Sequence, residues 1–513
     1  MTDNFKLTYG LRIDNLVFDN KDLIANKAIN DLDFNGRHLD TGKWPDANWI
    51  FSPRVGFSWD VLGNKTLKVR GGTGLFAGNL PLVFFTNMPT NGGMVQYNAH
   101  INAGIAAKRG FDMTQFAGGL VTDGEGRATL SALYDKLASL GYPTTIKPED
   151  GVVPSSVAGI ASDFKMPQVW KTSIAVDYQL PIPFPTTLTG ELIFNKSINE
   201  TSISDWSIPS VGGFARFNGV DNRPIYPTGY HTNTSAFVLE NTSRGYGWIG
   251  NITLNTQPNE WLDFTAAYTH TVSKNVTGMP GSNPESAFTY VPTVEGPNHI
   301  RLHNSQYVTP DRLMASATIH DKSGNHYGFF YEAWRGGANY SYMTVNDINN
   351  DGYNYDALYI PTDEQVANND FRFVSEDDKT RFMDYVHNNN YLKKHQGEYA
   401  EAYSLYSPWV HRIDFSYKHD FKVNIGNTKH KLQLSCDVKN LMNLFNSSWG
   451  VAKYLNPAIG AEARILKFEG VDKEGYATYS TPSSIQGNTE TFTPSYSLGQ
   501  CWYASIGIKY TFN

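Results

Sequence analysis

Between positions 347 and 356 the chain reads Asp347-Ile348-Asn349-Asn350-Asp351-Gly352-Tyr353-Asn354-Tyr355-Asp356. Oxygen-bearing side chains at the first, third and fifth places, Gly at the sixth and a carbonyl at the seventh match the opening of a calcium loop. Hard cations of this kind take roughly six to eight oxygen ligands, which carboxylates, amides and carbonyls supply. The bidentate Glu expected at the twelfth place is replaced by Leu358, and Asp356 at the tenth is the available substitute. Asp347, Asn349, Asp351, Tyr353 and Asp356 are therefore the candidate ligands for Ca2+ in an extracellular loop. The competing reading is a turn-rich segment in which Asn, Asp and Gly serve backbone geometry alone.

No catalytic constellation accompanies this loop. The sequence has no His-Glu-x-x-His, no Gly-x-x-x-x-Gly-Lys and no nucleophile elbow, and its 13 histidines are scattered. Gly71-Gly72-Thr73-Gly74 lies inside a strand pattern, where glycine marks a bend or close packing. Cys436 and Cys501 have no metal-type spacing, and Cys436 fits an apolar strand face as a small hydrophobe. A net charge of −7 without a basic stripe excludes nucleic acid as a partner. The chain reads as a non-enzyme.

The elements that carry these residues alternate with period two from one end to the other. Val55, Phe57, Trp59 and Val61 alternate with Arg54, Gly56, Ser58 and Asp60; Trp170, Thr172, Ile174, Val176 and Tyr178 alternate with Lys171, Ser173, Ala175 and Asp177. About twelve strands are expected, near 4–15, 52–61, 66–77, 166–180, 186–197, 244–256, 260–273, 311–321, 326–336, 409–423, 430–446 and 499–513. Connections are alternately short (62–65, 181–185, 256–259, 321–325, 425–429) and long (16–51, 78–165, 198–243, 274–310, 337–408, 447–498). Short turns at one rim and long loops at the other are the pattern of an outer-membrane barrel, whereas compact soluble domains rarely carry several loops above about 15 residues. No apolar run approaches the roughly 20 residues of a membrane helix. Barrel strands need only about ten alternating residues, so a mean hydropathy of −0.40 does not oppose them. Aromatic residues at 14 % suit interfacial girdles.

In the final strand Trp502, Ala504, Ile506, Ile508, Tyr510 and Phe512 share one face, an amphipathic ending of the kind outer-membrane assembly reads. Counting from the short turns places the C-terminus at the periplasmic rim. Arg54, Asp60, Lys171, Asp177, Asp263, Arg412, Asp414 and Lys418 face the lumen, as a hydrated lining of ion pairs or as contacts to a plug or substrate. Within the loops, 128–140 and 375–395 have helical spacing and are expected to fill loop cores. Loop aromatics Trp206, Tyr226 and Tyr230, and rim aromatics Phe330 and Trp334, are available for stacking on sugars or peptides; interfacial anchoring explains Trp334 equally well.

Several segments carry a resemblance to a known family: Phe51-Ser-Pro-Arg-Val-Gly-Phe-Ser-Trp-Asp60, Lys68-Val-Arg-Gly-Gly-Thr-Gly-Leu-Phe-Ala-Gly78, Asp437-Val-Lys-Asn-Leu-Met-Asn-Leu-Phe-Asn446 and Ile506-Gly-Ile-Lys-Tyr-Thr-Phe-Asn513. In order along essentially the whole chain, they resemble the barrel of TonB-dependent outer-membrane receptors, especially the Oar-like branch. The resemblance implies a barrel of roughly 22 strands with a plugged lumen, and uptake of a scarce nutrient (peptide, glycan or chelate) energised through TonB. It further implies outer-membrane lipid, the TonB complex and a surface lipoprotein as partners.

The expectation is an all-β transmembrane antiparallel barrel with long extracellular loops, residues 1–513 forming its C-terminal part. The plug and N-terminal strands are expected to lie outside this chain. Met1-Thr2-Asp3-Asn4-Phe5 lacks the features of a signal peptide, so the export signal is expected upstream with them. Two alternatives stand beside uptake: a structural or adhesive barrel without transport, and a soluble carbohydrate-binding β protein.

Overall fold

The computed structural model describes residues 4–94, 102–110, 112, 121–142, 145–230, 234–277, 281, 283–288, 291–426, 428–485 and 490–512. The alternating segments form twelve long strands: β1 (Phe5–Leu16), β2 (Asn48–Asp60), β3 (Leu67–Ala77), β4 (Gln168–Gln179), β5 (Thr186–Asp205), β6 (Tyr246–Asn259), β7 (Leu262–Asn275), β8 (Asp311–His320), β9 (Asn325–Arg335), β10 (Val410–Ile425), β11 (Thr428–Lys439) and β12 (Tyr503–Phe512). Each pairs antiparallel with its neighbours in chain order, giving one meander.

Register shows why the pattern had to be alternating. Cross-strand partners share a face. Val69, Val176, Gly190, Ile252, Tyr268 and Leu313 form one row across β3 to β8. One residue away, the row Arg70, Ala175, Glu191, Asn251, Thr269 and Arg312 points the other way. The first row is apolar and half-buried to exposed, and the second, apart from the buried Ala175, is polar, with Arg70, Asn251 and Arg312 bonded to neighbouring side chains. An exposed apolar belt of this extent has no place in water and marks a lipid-facing surface. Aromatics flank it at both ends: Trp49, Phe51, Trp170, Trp248 and Trp409 towards the long loops, Trp59, Tyr178, Trp261, Phe421 and Phe512 towards the short turns. Among the described residues no helix is long and apolar enough to cross a membrane.

The short turns are closed by local chemistry. Asp60 accepts from the backbone N–H of Gly63 at 3.1 Å and of Lys65 at 2.9 Å. Asp321 accepts from Ser323 and Asn325, both at 2.9 Å. Gly63 and Gly324 take positive φ of 72° and 88° there. Close packing explains the glycines of β3: a Cβ on Gly71 would stand 2.7 Å from the Ser173 carbonyl oxygen, and one on Gly74 2.8 Å from that of Pro53.

Among the described residues, β1 has a ladder only to β2 and β12 only to β11. Exposure agrees. Outward residues inside the sheet, such as Leu432 and Ile252, are 37 % and 58 % exposed, while on the edge strands Tyr9 and Ile506 reach 79 % and 84 %.

The strand expected over 430–446 stops at Lys439. Asn440 turns left-handed (φ 51°) and Leu441–Phe445 is a short helix, so the Asn-Leu-Met-Asn-Leu-Phe-Asn run is a strand exit. β5 instead runs past its expected end and pairs, beyond the belt, with Ser235–Thr242, which in turn pairs parallel with Ser156–Ile160.

The long loops form a folded layer with its own core. Phe217, Tyr342, Leu358, Ile360, Phe382, Val386, Leu392 and Ile465 lie in one buried cluster. A four-stranded sheet knits the loops together, with Tyr342–Val345 parallel to Ala463–Val471 and Arg372–Phe373 parallel to Ala477–Ser480. The helical segment at 375–395 breaks in two at Asn389, giving Glu376–Asn388 and Asn390–Lys394. Its Phe382 and Tyr385 fill the loop core as expected. Leu130–Ser139 behaves differently: it is helical, but Leu130, Leu133 and Tyr134 remain exposed.

Candidate functional site

The Asp347–Asp356 turn sits inside this loop layer. It follows the Tyr342–Val345 strand and is held by positive-φ residues Asn346, Asn350 and Gly352. Asp347 accepts from the backbone N–H of Asp351 at 3.2 Å and of Gly352 at 2.8 Å. Asn349 accepts from Asp351 N–H at 3.2 Å, and Asp351 from Tyr353 N–H at 2.9 Å. The turn is thus wound around its first, third and fifth side chains. Asn349, Asp351 and Asp356 are fully or almost fully buried. The Tyr353 ring packs edge-on against Phe288, leaving its backbone carbonyl as the group it can offer a cation.

Asp356 faces a different partner. One carboxylate oxygen accepts from Ile348 N–H at 2.9 Å, and the other accepts from Arg223 at 2.7 Å. Arg223 is itself fully buried. Its Nε donates to Asp221 at 2.9 Å and an Nη to the Ala357 carbonyl at 2.9 Å, while Tyr399 and Tyr479 donate to Asp221. Arg223 pairs with Asp221 and Asp356 only, so the neighbouring Asp347 and Asp351, half-buried and buried, have no ion pair among the described residues. The consequence is electrostatic. Burial, then the charges of Asp356 and Asp347, pushes the Asp351 carboxyl up to about 8. Burial raises Asp347 too, and raises Asp356 in spite of Arg223. Among the described residues no group of three or more carboxylate, imidazole or thiol side chains is arranged to hold a metal.

Sequence patterning missed Arg223. A single arginine in a loop carries no motif, and its acceptors are more than 100 residues away for Asp356 but only two for Asp221; the Asp221-x-Arg223 spacing was the only trace.

The lumen face fits a hydrated lining of ion pairs. Arg70 meets Asp177 at 3.2 Å and Glu191 at 3.5 Å, Arg312 bonds Glu332, and Lys439 meets Asp414 at 2.7 Å. Arg412 donates to the Gly450 carbonyl at 2.9 Å and lies over the Trp334 ring at 5.2 Å. Trp334 therefore faces the lumen and is not a lipid anchor. Trp206 and Tyr226, expected as stacking platforms, are buried within the loop layer. Trp206 donates its indole N–H to Glu240 at 2.6 Å. Arg54 and Lys171 both approach the Phe76 ring, at 4.4 Å and 5.8 Å.

A protein-family model described as "Outer membrane beta barrel domain" matches residues 1–452. A search of curated proteins returns no match. Similar solved structures include the outer membrane transporter YddB of Escherichia coli (10 % identity, TM-score 0.40, covering 90 % of this chain and 41 % of that one). They also include a ferric enterobactin receptor (PfeA) mutant of Pseudomonas aeruginosa (9 %, 0.38, 91 % and 40 %) and the ferric-catecholate import receptor Fiu of E. coli K12 (9 %, 0.35, 100 % and 43 %). The chain spans about two-fifths of the length of these proteins.

Proposed function

The chain belongs to the outer membrane beta barrel domain family, and on that premise we propose that it is the C-terminal part of a TonB-dependent transporter that takes up a scarce nutrient. The observation that carries this reading is the pair of bare edges. Unpaired N–H and C=O groups in lipid cost several kcal/mol each, and β1 and β12 carry one such row apiece at full membrane height. Strands from upstream of this chain would cover both, completing a barrel of roughly 22 strands with room for a plug. The C-terminus then lies at the periplasmic rim, and the loop layer faces outward to capture the nutrient. Coupling to TonB would reside in the plug, and a surface lipoprotein would dock on the loops. The ion-paired lumen lining serves passage and plug contact; no group in the reading performs catalysis.

The same reading gives the Asp347–Asp356 turn a role. Calcium held by Asp347, Asn349, Asp351 and the Tyr353 carbonyl would offset the excess buried negative charge and lock the loop layer. Asp356, engaged by Arg223, would contribute as a neighbouring charge and not as the closing ligand.

The test is electrophoresis of the detergent-extracted native protein with and without boiling, followed by intact-mass analysis. A heat-modifiable species heavier than this chain and containing upstream sequence supports the transporter. A heat-modifiable species of this chain alone overturns it in favour of a self-closed adhesive or pore-forming barrel.

A further inference from the structure

One row of the lumen face runs Gly10, Arg54, Gly74, Lys171, Asn195, Gly247, Ser273 across β1 to β7. Towards its β7 end lies a cavity of about 310 Å³. Gly247 leaves the floor bare, and Asn195, Ser197 and Glu200 of β5 face Ser273 and Asn275 of β7 across it. A Cβ added to Gly245, just before β6, would collide with Glu200 Oε2 and stand 2.7 Å from Ser197 Oγ, so the carboxylate folds over that glycine. Asn195 Oδ1, Glu200 Oε2 and Asn275 Oδ1 are buried and have no hydrogen-bond partner among the described residues. The nearby cations are engaged elsewhere: Lys274 bonds Glu401, and Lys196 donates to the Ser243 and Arg244 carbonyls. Towards the β1 end of the row, a trough of about 540 Å³ lies over Gly10, Gly56 and Gly72. Arg54 and Lys171 reach across it to the Phe76 ring, at 4.4 Å and 5.8 Å, and neither has an ion pair among the described residues.

The two cavities are complementary in charge. A buried carboxylate and two amide oxygens without donors call for a cationic donor, and an ammonium brings three N–H groups. One carboxylate is little charge for a divalent metal and suits a monocation. Two cations without acid partners call for a carboxylate, for which the Arg54 guanidinium offers a fork. Strands lie about 4.8 Å apart, so the acceptors over β6 and the cations astride β3 are separated by roughly 14 Å along the wall and by less across its concave side. An extended peptide of three or four residues covers about 10–14 Å, and a single amino acid does not. The glycine floor leaves room for its side chains. We propose that this stretch of the lumen wall binds a short peptide by both ends, its N-terminal ammonium on Asn195, Glu200 and Asn275 and its C-terminal carboxylate on Arg54 and Lys171. This rests on the uptake reading and names the substrate class for it.

The test is calorimetric titration of the full-length protein, purified from outer membranes in detergent. The probes are tetra-alanine with free ends, its N-acetyl form, its C-terminal amide, and alanine. Tetra-alanine is expected to bind most tightly. Blocking either end should weaken binding about 10- to 100-fold, the range for a lost charge-assisted hydrogen bond. Glu200→Gln should erase the preference for the free amine and keep that for the free carboxylate, and Arg54→Gln combined with Lys171→Gln should do the reverse. Gly10→Leu, whose Cβ meets nothing within 4 Å, should weaken all the peptides by filling the trough. The variants should keep their heat-modifiable mobility. Equal binding of free and blocked peptides, alanine binding as tightly as tetra-alanine, or Glu200→Gln keeping the amine preference while still heat-modifiable overturns the inference. So does a folded wild type that binds no peptide. These outcomes leave the uptake reading standing, because that reading fails only on the mass and plug content of the native protein.

Discussion

Arg223 and Asp356 are 133 residues apart in sequence, and Arg223 Nη1 donates to the Asp356 carboxylate at 2.7 Å in a site where the two side chains are 0 % and 2 % exposed. The pair joins the loop after β5 to the loop after β9. Through Tyr479 and Asp221 it also reaches the loop after β11. Removing one partner of a buried pair leaves the other charged and dry, which costs about 3–5 kcal/mol. Asp356→Ala should therefore loosen the loop layer while sparing the barrel. Hydrogen exchange in detergent would show lost protection at 217–226 and 342–360 with unchanged protection in β4 to β8. Equal protection in all these segments would mean that the pair does not hold the layer together.

The turn at 347–356 should respond to pH in a definite sense. Asp351 and its neighbours have raised carboxyl pKa values in the folded loop, whereas the unfolded value is about 4. The folded loop therefore binds more protons than the unfolded one in this range. Its stability is fully present below about pH 4 and is lost as pH rises through the folded value of about 8. Calcium should oppose that loss, since it needs the ionised form. Limited proteolysis of the loop between pH 5 and pH 9, with calcium or with chelator, reads both effects. Asp351→Asn should make the calcium-free profile shallower, the remaining slope coming from Asp347 and Asp356, and abolish the calcium response. A calcium-free profile that rises with pH would contradict the assignment.

Two adjacent positions on β6 discriminate lipid from lumen. Ile252 lies in the exposed apolar row and Thr253 on the opposite face, bonded to Asn251 at 2.8 Å. Ile252→Arg should destabilise the membrane-inserted barrel by about 2–4 kcal/mol if it sits near the midplane, and Thr253→Arg by much less. Unfolding titrations in lipid vesicles measure the difference. Similar costs at both sites would contradict the lipid-facing assignment.

Gly74 tests the close packing of β2 on β3. An added Cβ meets the Pro53 carbonyl oxygen at 2.8 Å and the Arg54 side chain at 2.9 Å. Gly74→Val should cost about 1–3 kcal/mol through overpacking, seen as a lower temperature for loss of heat-modifiable mobility. Wild-type behaviour would show that the two strands have slack.

The barrel was legible because membrane strands obey a local rule. In β4 and β6 each residue's face follows from its neighbour's, so alternation around Ile174 or Ile252 gives strand, register and lipid side together. The loop layer obeys no such rule. Tyr342–Val345 pairs parallel with Ala463–Val471, more than 100 residues away and with a register shift at Met343/Thr344, so nothing local sets the partner. The Asp/Asn turn was legible as a turn because Asx chemistry is local. The destination of Asp356 was not, because it is set by Arg223 arriving from a distant loop. Trp334 was ambiguous for a related reason: an aromatic near a rim reads the same from either side until Glu332 and Arg412 fix which side is lumen.

Three loops that share one buried cation also share a fate over generations. Change at Asp221, Arg223 or Asp356 is felt in all three, so none of these loops can be remodelled there alone. The helix Leu130–Ser139, with its exposed Leu130 and Tyr134, lies outside that bond. With the loop layer turned outward as proposed, the exterior of this protein would have a fixed part, tied by that buried bond, and a free part at the exposed Leu130–Ser139 helix, where sequence change is expected to collect.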